Sequence, residues 1–532
     1  VTAQIFAEGR ERKLNTRVTA SGQVEVKKLT DWLSVTQPLP VSGVIPYQLQ
    51  LTLNGADSQL LVNSNLRGVA VDLPAPFGLA PDAGRDTSFR MTLQGEERRY
   101  WVNYGELANF TFAAPASNFA NGRGELFLGN GNAVLPDTKG LRIRGTLSEL
   151  DIGPWQDLMN KYAGQDPGGN AKQLLSGLDV KVGKLRAFGT TLDQAAVQLT
   201  RKPSAWALQL DSQQVKGNAS LPDAKAAPMV INLQTVRLPA PDPTVLADEN
   251  SPDPLASVDP KKIPALDITI NQLYQGNDLV GAWSLKVRPT AKGIALNSLD
   301  MGLKGILLQG SGGWEGAPGA STSWYKGRIS GKNLADVLKG WGFAPSVTSQ
   351  EFHMDVDGRW PGSPAWLATK RFSGTLDASL NEGQFVEVEG SAQALRVFGL
   401  LNFNSIGRRL RLDFSDLFGK GLSYDRVKGL LVATNGVYVT REPIRLTGPS
   451  STIELNGTLN MVADQIDAKL MVTLPVTNNL PIAALIVGAP AIGGALFLID
   501  KLIGDRVSRF ASVKYTVKGP WKEPKITFDK AF

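Results

Sequence analysis

The sequence predicts a mainly-β protein: a long twisted antiparallel β-sheet with one apolar face, a few short helices, and a broken apolar helical segment near the C-terminus. Three observations carry this reading. Apolar and polar residues alternate with period two from end to end. Gly and Asn-Gly signals punctuate the alternating runs. The length, 532 residues, exceeds what one compact domain usually needs unless the architecture is repetitive or elongated.

The runs follow in chain order. In YQLQLTLN, Tyr47, Leu49, Leu51 and Leu53 share one side, and Gln48, Gln50 and Thr52 the other; the turn Asn54-Gly55 closes the run. PWQDLMNKYAG (154–164) and NAKQLLSGL (170–178) read as helical, an insertion near 154–178 in a β segment covering 1–237. LDVKV sets Leu178, Val180 and Val182 against Asp179 and Lys181, and WALQL aligns Trp206, Leu208 and Leu210. Residues 238–262 are Pro-rich and acidic and read as a mobile surface loop or linker. The β segment resumes over 263–478. Within it NLADVLKGW (333–341) and part of GSAQALRVFGLLNF (390–403) read as helices. MDVDGRW places Met354, Val356 and Trp360 opposite Asp355, Asp357 and Arg359, and TLDASL aligns Leu376, Ala378 and Leu380. Leu455 belongs to the same apolar set, and Asn435-Gly436 and Asn456-Gly457 mark turns. Trp closes similar Gly-Pro turns in GGWEGAP, GRWPGSP and GPWKEP, which reads as a ring covering a strand end. At about 11 residues per strand plus turn, roughly 45 strands spaced ~4.8 Å apart make a ribbon approaching ~200 Å.

The segment 479–511 breaks the pattern. Leu480 to Ile499 carries no charge, and twenty helical residues span roughly 30 Å, a bilayer's hydrocarbon thickness. Pro481, Gly488, Pro490, Gly493 and Gly494 interrupt it, so two helices meeting near 488–490 are expected rather than one straight span. The second is amphipathic: Leu496, Ile499, Ile503, Val507 and Phe510 oppose Asp500, Lys501, Asp505, Arg506 and Arg509. The candidate membrane-contacting or gating residues are Pro481, Leu485, Ile486, Val487, Pro490, Leu496, Phe497, Ile499 and Ile503. The segment either meets a membrane or caps the sheet's end. Residues 512–532 return to strand.

Composition narrows the function. There are 56 Lys and Arg against 49 Asp and Glu, giving +7, spread along the chain without a basic block carrying interleaved aromatics. That balance reads as a solvated surface, not a nucleic-acid site. Without cysteine there is no disulfide, thiol nucleophile or Cys-ligated zinc. His353 is the single histidine and points with the polar set of its strand. Asp355/Asp357 and Asp413/Asp416 are carboxylate pairs, but no cleft is evident from sequence. Asp242, Asp248, Glu249, Asp253 and Asp259 lack EF-hand spacing. No catalytic residue, metal or cofactor is expected. The start at Val1, without a signal peptide or anchor, reads as a fragment or processed form.

An apolar sheet face must be covered. Helices are too few to cover it, so the sheet curls into a sandwich, a barrel or a groove, or binds something apolar. The stretch GQFVEVEGSAQALRVFGLLNFNSIGRRLRLDFSDLFGKGLSYDRVKG (383–429) carries the densest signature, continuing through NGVYVTREPIRLTGPSSTIELNGTLNM (435–461) and YTVKGPWKEPKI (515–526). It resembles the C-terminal region of the AsmA-like family of large Gram-negative envelope proteins, and the likeness extends weakly over the upstream strands. The resemblance implies an elongated apolar β-groove that carries phospholipids across the periplasm between inner and outer membranes. It implies an inner-membrane anchor N-terminal to this chain, with the C-terminal helices towards the outer membrane. The candidate groove-lining residues are Leu49, Leu51, Leu53, Val180, Val182, Leu208, Leu210, Met354, Val356, Leu376, Leu380 and Leu455. The alternative is a structural or adhesive β-rod whose faces pack internally.

Overall fold

The computed structural model describes the chain except residues 1, 9–14, 33–34, 36–38, 117, 163–173, 188, 241–250, 387–420, 450, 477–508, 522–523 and 532. The fold divides into two units, Val1–Arg237 and Leu238–Phe532.

The first unit contains β1 (Thr2–Glu8), β2 (Asn15–Glu25), α1 (Val26–Trp32), β3 (Val41–Leu53), β4 (Gln59–Ser64), β5 (Val69–Val71), β6 (Thr87–Thr92), β7 (Glu97–Tyr104), β8 (Ala108–Pro115) and β9 (Arg123–Leu128). There follow β10 (Gly140–Asp151), α2 (Ile152–Tyr162), β11 (Leu175–Ala187), β12 (Thr190–Arg201), β13 (Ala205–Asp211), β14 (Val215–Pro222) and β15 (Met229–Leu238). Strands pair in chain order, except that β5 sits against the start of β3 while β4 pairs with β6. The alternation predicted an antiparallel meander; the sheet is instead mixed, because β10 runs parallel to both β9 and β11. Parallel neighbours need a crossover. Residues 129–139 supply the first, and the second contains α2. The helix expected over 170–178 does not extend there: Leu175–Leu178 already belong to β11, where pairing with β10 and the Leu178/Val180/Val182 alternation override local helix propensity.

The second unit contains β16 (Leu266–Gln275), β17 (Asp278–Pro289), β18 (Gly293–Leu303), β19 (Ile306–Ala317), β20 (Ala320–Lys332), α3 (Leu334–Gly340), β21 (Val347–Pro361) and β22 (Ser373–Val386). It continues with β23 (Gly421–Thr434), β24 (Val437–Thr447), β25 (Thr452–Asn460), β26 (Gln465–Val476), β27 (Arg509–Pro520) and β28 (Lys525–Ala531). Each strand pairs antiparallel with the next, and among the described residues β16 does not pair with β28, so the sheet is not closed into a barrel. The described residues hold 28 strands, fewer than estimated, because many are long; β21 alone runs for 15 residues.

Asn54-Gly55 and Asn435-Gly436 are turns; Asn435 and Gly436 both have positive φ, 47° and 79°, as a tight hairpin requires. Asn456-Gly457 lies inside β25 instead. It faces an irregularity in β24 between Val439 and Ile444. There the Thr440 hydroxyl accepts from the Gly457 N–H at 2.9 Å, satisfying a donor that the interrupted ladder leaves over. Trp314, Trp360 and Trp521 are buried, and the Trp360 indole donates to the Ser363 carbonyl across its Gly-Pro turn at 3.0 Å.

Candidate functional site

Residues directly opposite on neighbouring strands share a sheet face, so register decides which side chains form a continuous surface. In the first unit Ala20 faces Leu49, Leu49 faces Val62, Val62 faces Phe89, Phe89 faces Val102, and Val102 faces Phe110. Phe110 then faces Leu126, which faces Ile143, and Ile143 faces Leu178. From there the row runs through Leu199, Leu208 and Ala219 to Ile231. No polar side chain interrupts this ladder, and the change from antiparallel to parallel pairing leaves it in register. The adjoining outward row is polar: Asp179, Gln198, Gln209, Asn218 and Asn232.

The second unit repeats the arrangement. Ile270, Trp283, Met301, Leu308, Ile329, Met354 and Ala378 face one another in turn across β16 to β22. The outward row beside it holds Asp300, Gln309, Arg328 and Asp355. Arg328 grips Asp355 with two hydrogen bonds of 2.7 and 2.8 Å, and these hold the carboxyl below the usual aspartate range.

Burial decides what the ladders are. In a sandwich the inward residues of one sheet are covered by the other, and the core is closed. Every ladder residue named above is only half-buried. Both apolar ladders therefore keep part of their surface exposed behind a polar outward row, although Leu126, Ile143 and Leu178 border one packed cluster and Leu308, Ile329 and Met354 another.

Of the residues expected to line a groove, Leu49 and Leu208 lie on the first ladder and Met354 on the second. Leu51, Leu210 and Leu380 sit on adjoining rows and are also half-buried. Leu53, at the end of β3, is exposed. Val180, Val182, Val356, Leu376 and Leu455 face inward but are packed beneath neighbours, at 4%, 2%, 7%, 5% and 8% exposure. Val180 and Val182 join Leu147 and Ala195; Val356 and Leu376 join Tyr325 and Tyr438; Leu455 joins Leu470 and Tyr515. Phe89, Phe110, Leu126, Ile143, Leu199 and Ile329 escaped the sequence reading. Alternation around them gives no register without a partner strand. Pro481, Leu485, Ile486, Val487, Pro490, Leu496, Phe497, Ile499 and Ile503 lie outside the described residues.

The polar candidates are engaged elsewhere. His353 faces outward between Ser330 and Ser379. Asp357 pairs with Lys326 at 3.1 Å. Asp253 accepts from the Ser363 amide at 2.7 Å and hydroxyl at 2.6 Å, and Asp259 accepts from the Lys261 amide. Asp413, Asp416, Asp242, Asp248 and Glu249 lie outside the described residues. Among the described residues no cluster of three metal-ligating side chains occurs, and no helix is long and apolar enough to cross a membrane.

One outward carboxylate is fully buried. Glu125 on β9 accepts from Nε and Nη2 of Arg144 at 3.0 and 2.9 Å, from Nε of Arg142 at 2.9 Å, and from the Val134 amide at 3.1 Å. Burial acts to raise this carboxyl, but the hydrogen bonds from Arg144, Val134 and Arg142 outweigh it and hold it below the ordinary glutamate range.

The chain is 22% identical over 492 residues to the intermembrane phospholipid transporter YhdP of Escherichia coli (strain K12), an alignment covering 89% of this chain and 37% of that protein. The chain thus spans just over a third of that relative's length. No solved structure matches it. The family model described as YhdP protein matches residues 1–526, and the chain belongs to that family.

Proposed function

We propose that this member of the YhdP protein family carries phospholipid acyl chains along its two apolar ladders, as part of a longer protein that moves phospholipid across the periplasm between inner and outer membranes. The observation that carries the reading is the unbroken, half-buried ladder from Ala20 to Ile231. Each methylene exposed when a lipid leaves a bilayer costs about 0.8 kcal/mol in water. A continuous apolar floor removes most of that cost at every position, while the headgroup stays in water at the open side. Sliding requires no bond to be made or broken, so no catalytic group is called for. A structural rod of the envelope is the other reading, and it requires the apolar faces to be packed shut.

Photo-crosslinking amino acids at Leu199 and Leu208 are expected to capture phospholipid in cells, with Gln198 and Gln209, one residue away on the outward face, capturing little. Equal capture on both faces, or none on the inward one, counts against a lipid floor.

The segment 480–503 is assigned the membrane-delivery role, on its uncharged run from Leu480 to Ile499 and on the basic residues Lys501 and Arg506 at and just beyond its end; Arg509, expected on the same helix, belongs instead to β27. Deleting it is expected to abolish flotation of the purified chain with anionic liposomes while lipid capture at Leu208 persists. A deletion variant that floats as well as the parent makes the segment a cap only.

A further inference from the structure

We propose that Phe77 and Trp155 form a gate on the apolar floor of the first unit, and that acyl chains pass when the two rings part; this rests on the lipid-carrying reading above. Phe77 lies in the loop between β5 and β6, and Trp155 lies on α2, beyond β10. The rings meet edge to face, centroids 5.8 Å apart and planes at 74°. Both pack over the inward face, against the cluster of Leu147, Val180 and Val182, which borders ladder residues Leu126, Ile143 and Leu178. Here a loop and a helix, not a strand, cover the floor.

The two leaves are held unequally. The Phe77 carbonyl accepts from the Tyr104 hydroxyl at 2.8 Å and from Arg85 Nη1 at 3.3 Å, and the Arg85 guanidinium lies over the Tyr104 ring at 4.5 Å. That leaf is fixed to β7. Helix α2 reaches inward chiefly through Ile152 and Trp155, while Gln156, Asp157 and Met159 are exposed. Its ion pair to the opposite leaf, Lys161 to Asp72 at 3.7 Å, is solvent-exposed and therefore weak. In the closed arrangement the Trp155 indole N–H is buried without an acceptor among the described residues. An unsatisfied buried donor disfavours the state that contains it. Swinging α2 outward gives that N–H water, or the ester carbonyl of a passing glycerolipid. The weaker hold on α2, through an exposed ion pair, makes it the leaf assigned to move.

The chain has no cysteine, so a Phe77→Cys/Trp155→Cys pair can be bridged selectively with a short bis-methanethiosulfonate reagent. Transfer of a fluorescent phospholipid between phosphatidylethanolamine–phosphatidylglycerol vesicles is measured before and after bridging. The bridged form is expected to transfer at about a tenth of the reduced rate or less, with dithiothreitol restoring it. Trp155→Ala and Phe77→Ala, each removing one leaf, are expected to transfer roughly two- to threefold faster than the parent. Bridged and reduced forms of equal rate, or folded alanine variants slower than the parent, overturn the gate. Capture of lipid at Leu199 separates the two claims: with capture, those outcomes sink the gate alone; a parent that neither captures nor transfers lipid sinks the lipid reading, and the gate with it.

Discussion

Leu208→Asp and Met354→Asp are each expected to cut phospholipid transfer by roughly tenfold or more while leaving the protein folded. Both side chains stand on the ladders and are half-buried, Met354 at the edge of the cluster that contains Leu376. In the empty protein a carboxylate there keeps much of its water, so the expected stability change stays within about 1 kcal/mol. When an acyl chain covers it, that water is lost with nothing to replace it. Leaving a polar group without a partner costs about 2 kcal/mol at the low end, which is already more than roughly tenfold in rate. Leu376→Asp serves as the contrast. Leu376 is 5% exposed in a cluster with Tyr325, Trp360 and Phe372, so the same substitution is expected to cost roughly 3–5 kcal/mol and reduce abundance. Transfer rate and thermal midpoint, measured on the same preparations, separate the two behaviours. Should Leu208→Asp transfer at the parent rate with an unchanged midpoint, the ladder is not the path.

The alternation that fixes the inward face was legible in the chain itself. Leu178/Val180/Val182, Trp206/Leu208/Leu210 and Met354/Val356 each face as their spacing predicts. Which of them line an open floor was not legible, because burial depends on elements distant in sequence. Val180 and Leu208 look alike in a one-faced strand, yet Val180 belongs to a buried cluster against which Phe77 and Trp155 pack. The alternation is also broken locally. Positive-φ residues such as Gln194 and Glu382 sit where one residue pair drops out of the ladder, Gln194 opposite Gly183 and Glu382 opposite Gln350, and the strict alternation is interrupted there although the register on either side is unchanged. The parallel strand β10 left no local mark either. GLRIRGTLSELD alternates as any half-buried strand does, and its direction is set by the crossovers on either side. Glu125, Arg142 and Arg144 were unremarked for the same cause: their meeting needs β9 and β10 to run side by side in one direction.

That meeting carries the second large effect. Glu125→Ala is expected to destabilise the first unit by about 3 kcal/mol, in the range found when one member of a buried charge network is removed. The two sides of the network are unlike. The carboxylate is fully buried, whereas Arg142 and Arg144 are 42% and 36% exposed and retain water. Deleting the carboxylate strands the Val134 amide and leaves two cations facing each other across a vacancy. Glu125→Gln keeps the shape and an acceptor for Val134 but sets an amide donor against guanidinium donors, and about half the loss is expected. The pH dependence follows from the sign of the shift. The folded carboxyl lies below its unfolded value of about 4.3, so its contribution is complete above that pH and is lost as pH falls through the folded value. Urea midpoints of the parent and Glu125→Gln should therefore stand apart at pH 7 and converge below about pH 4. A gap that stays constant with pH would mean that the carboxylate acts by shape alone. An alanine variant as stable as the parent would mean that the parallel register of β9 and β10 is held by backbone pairing and the apolar ladder beneath it, with the ion network contributing nothing.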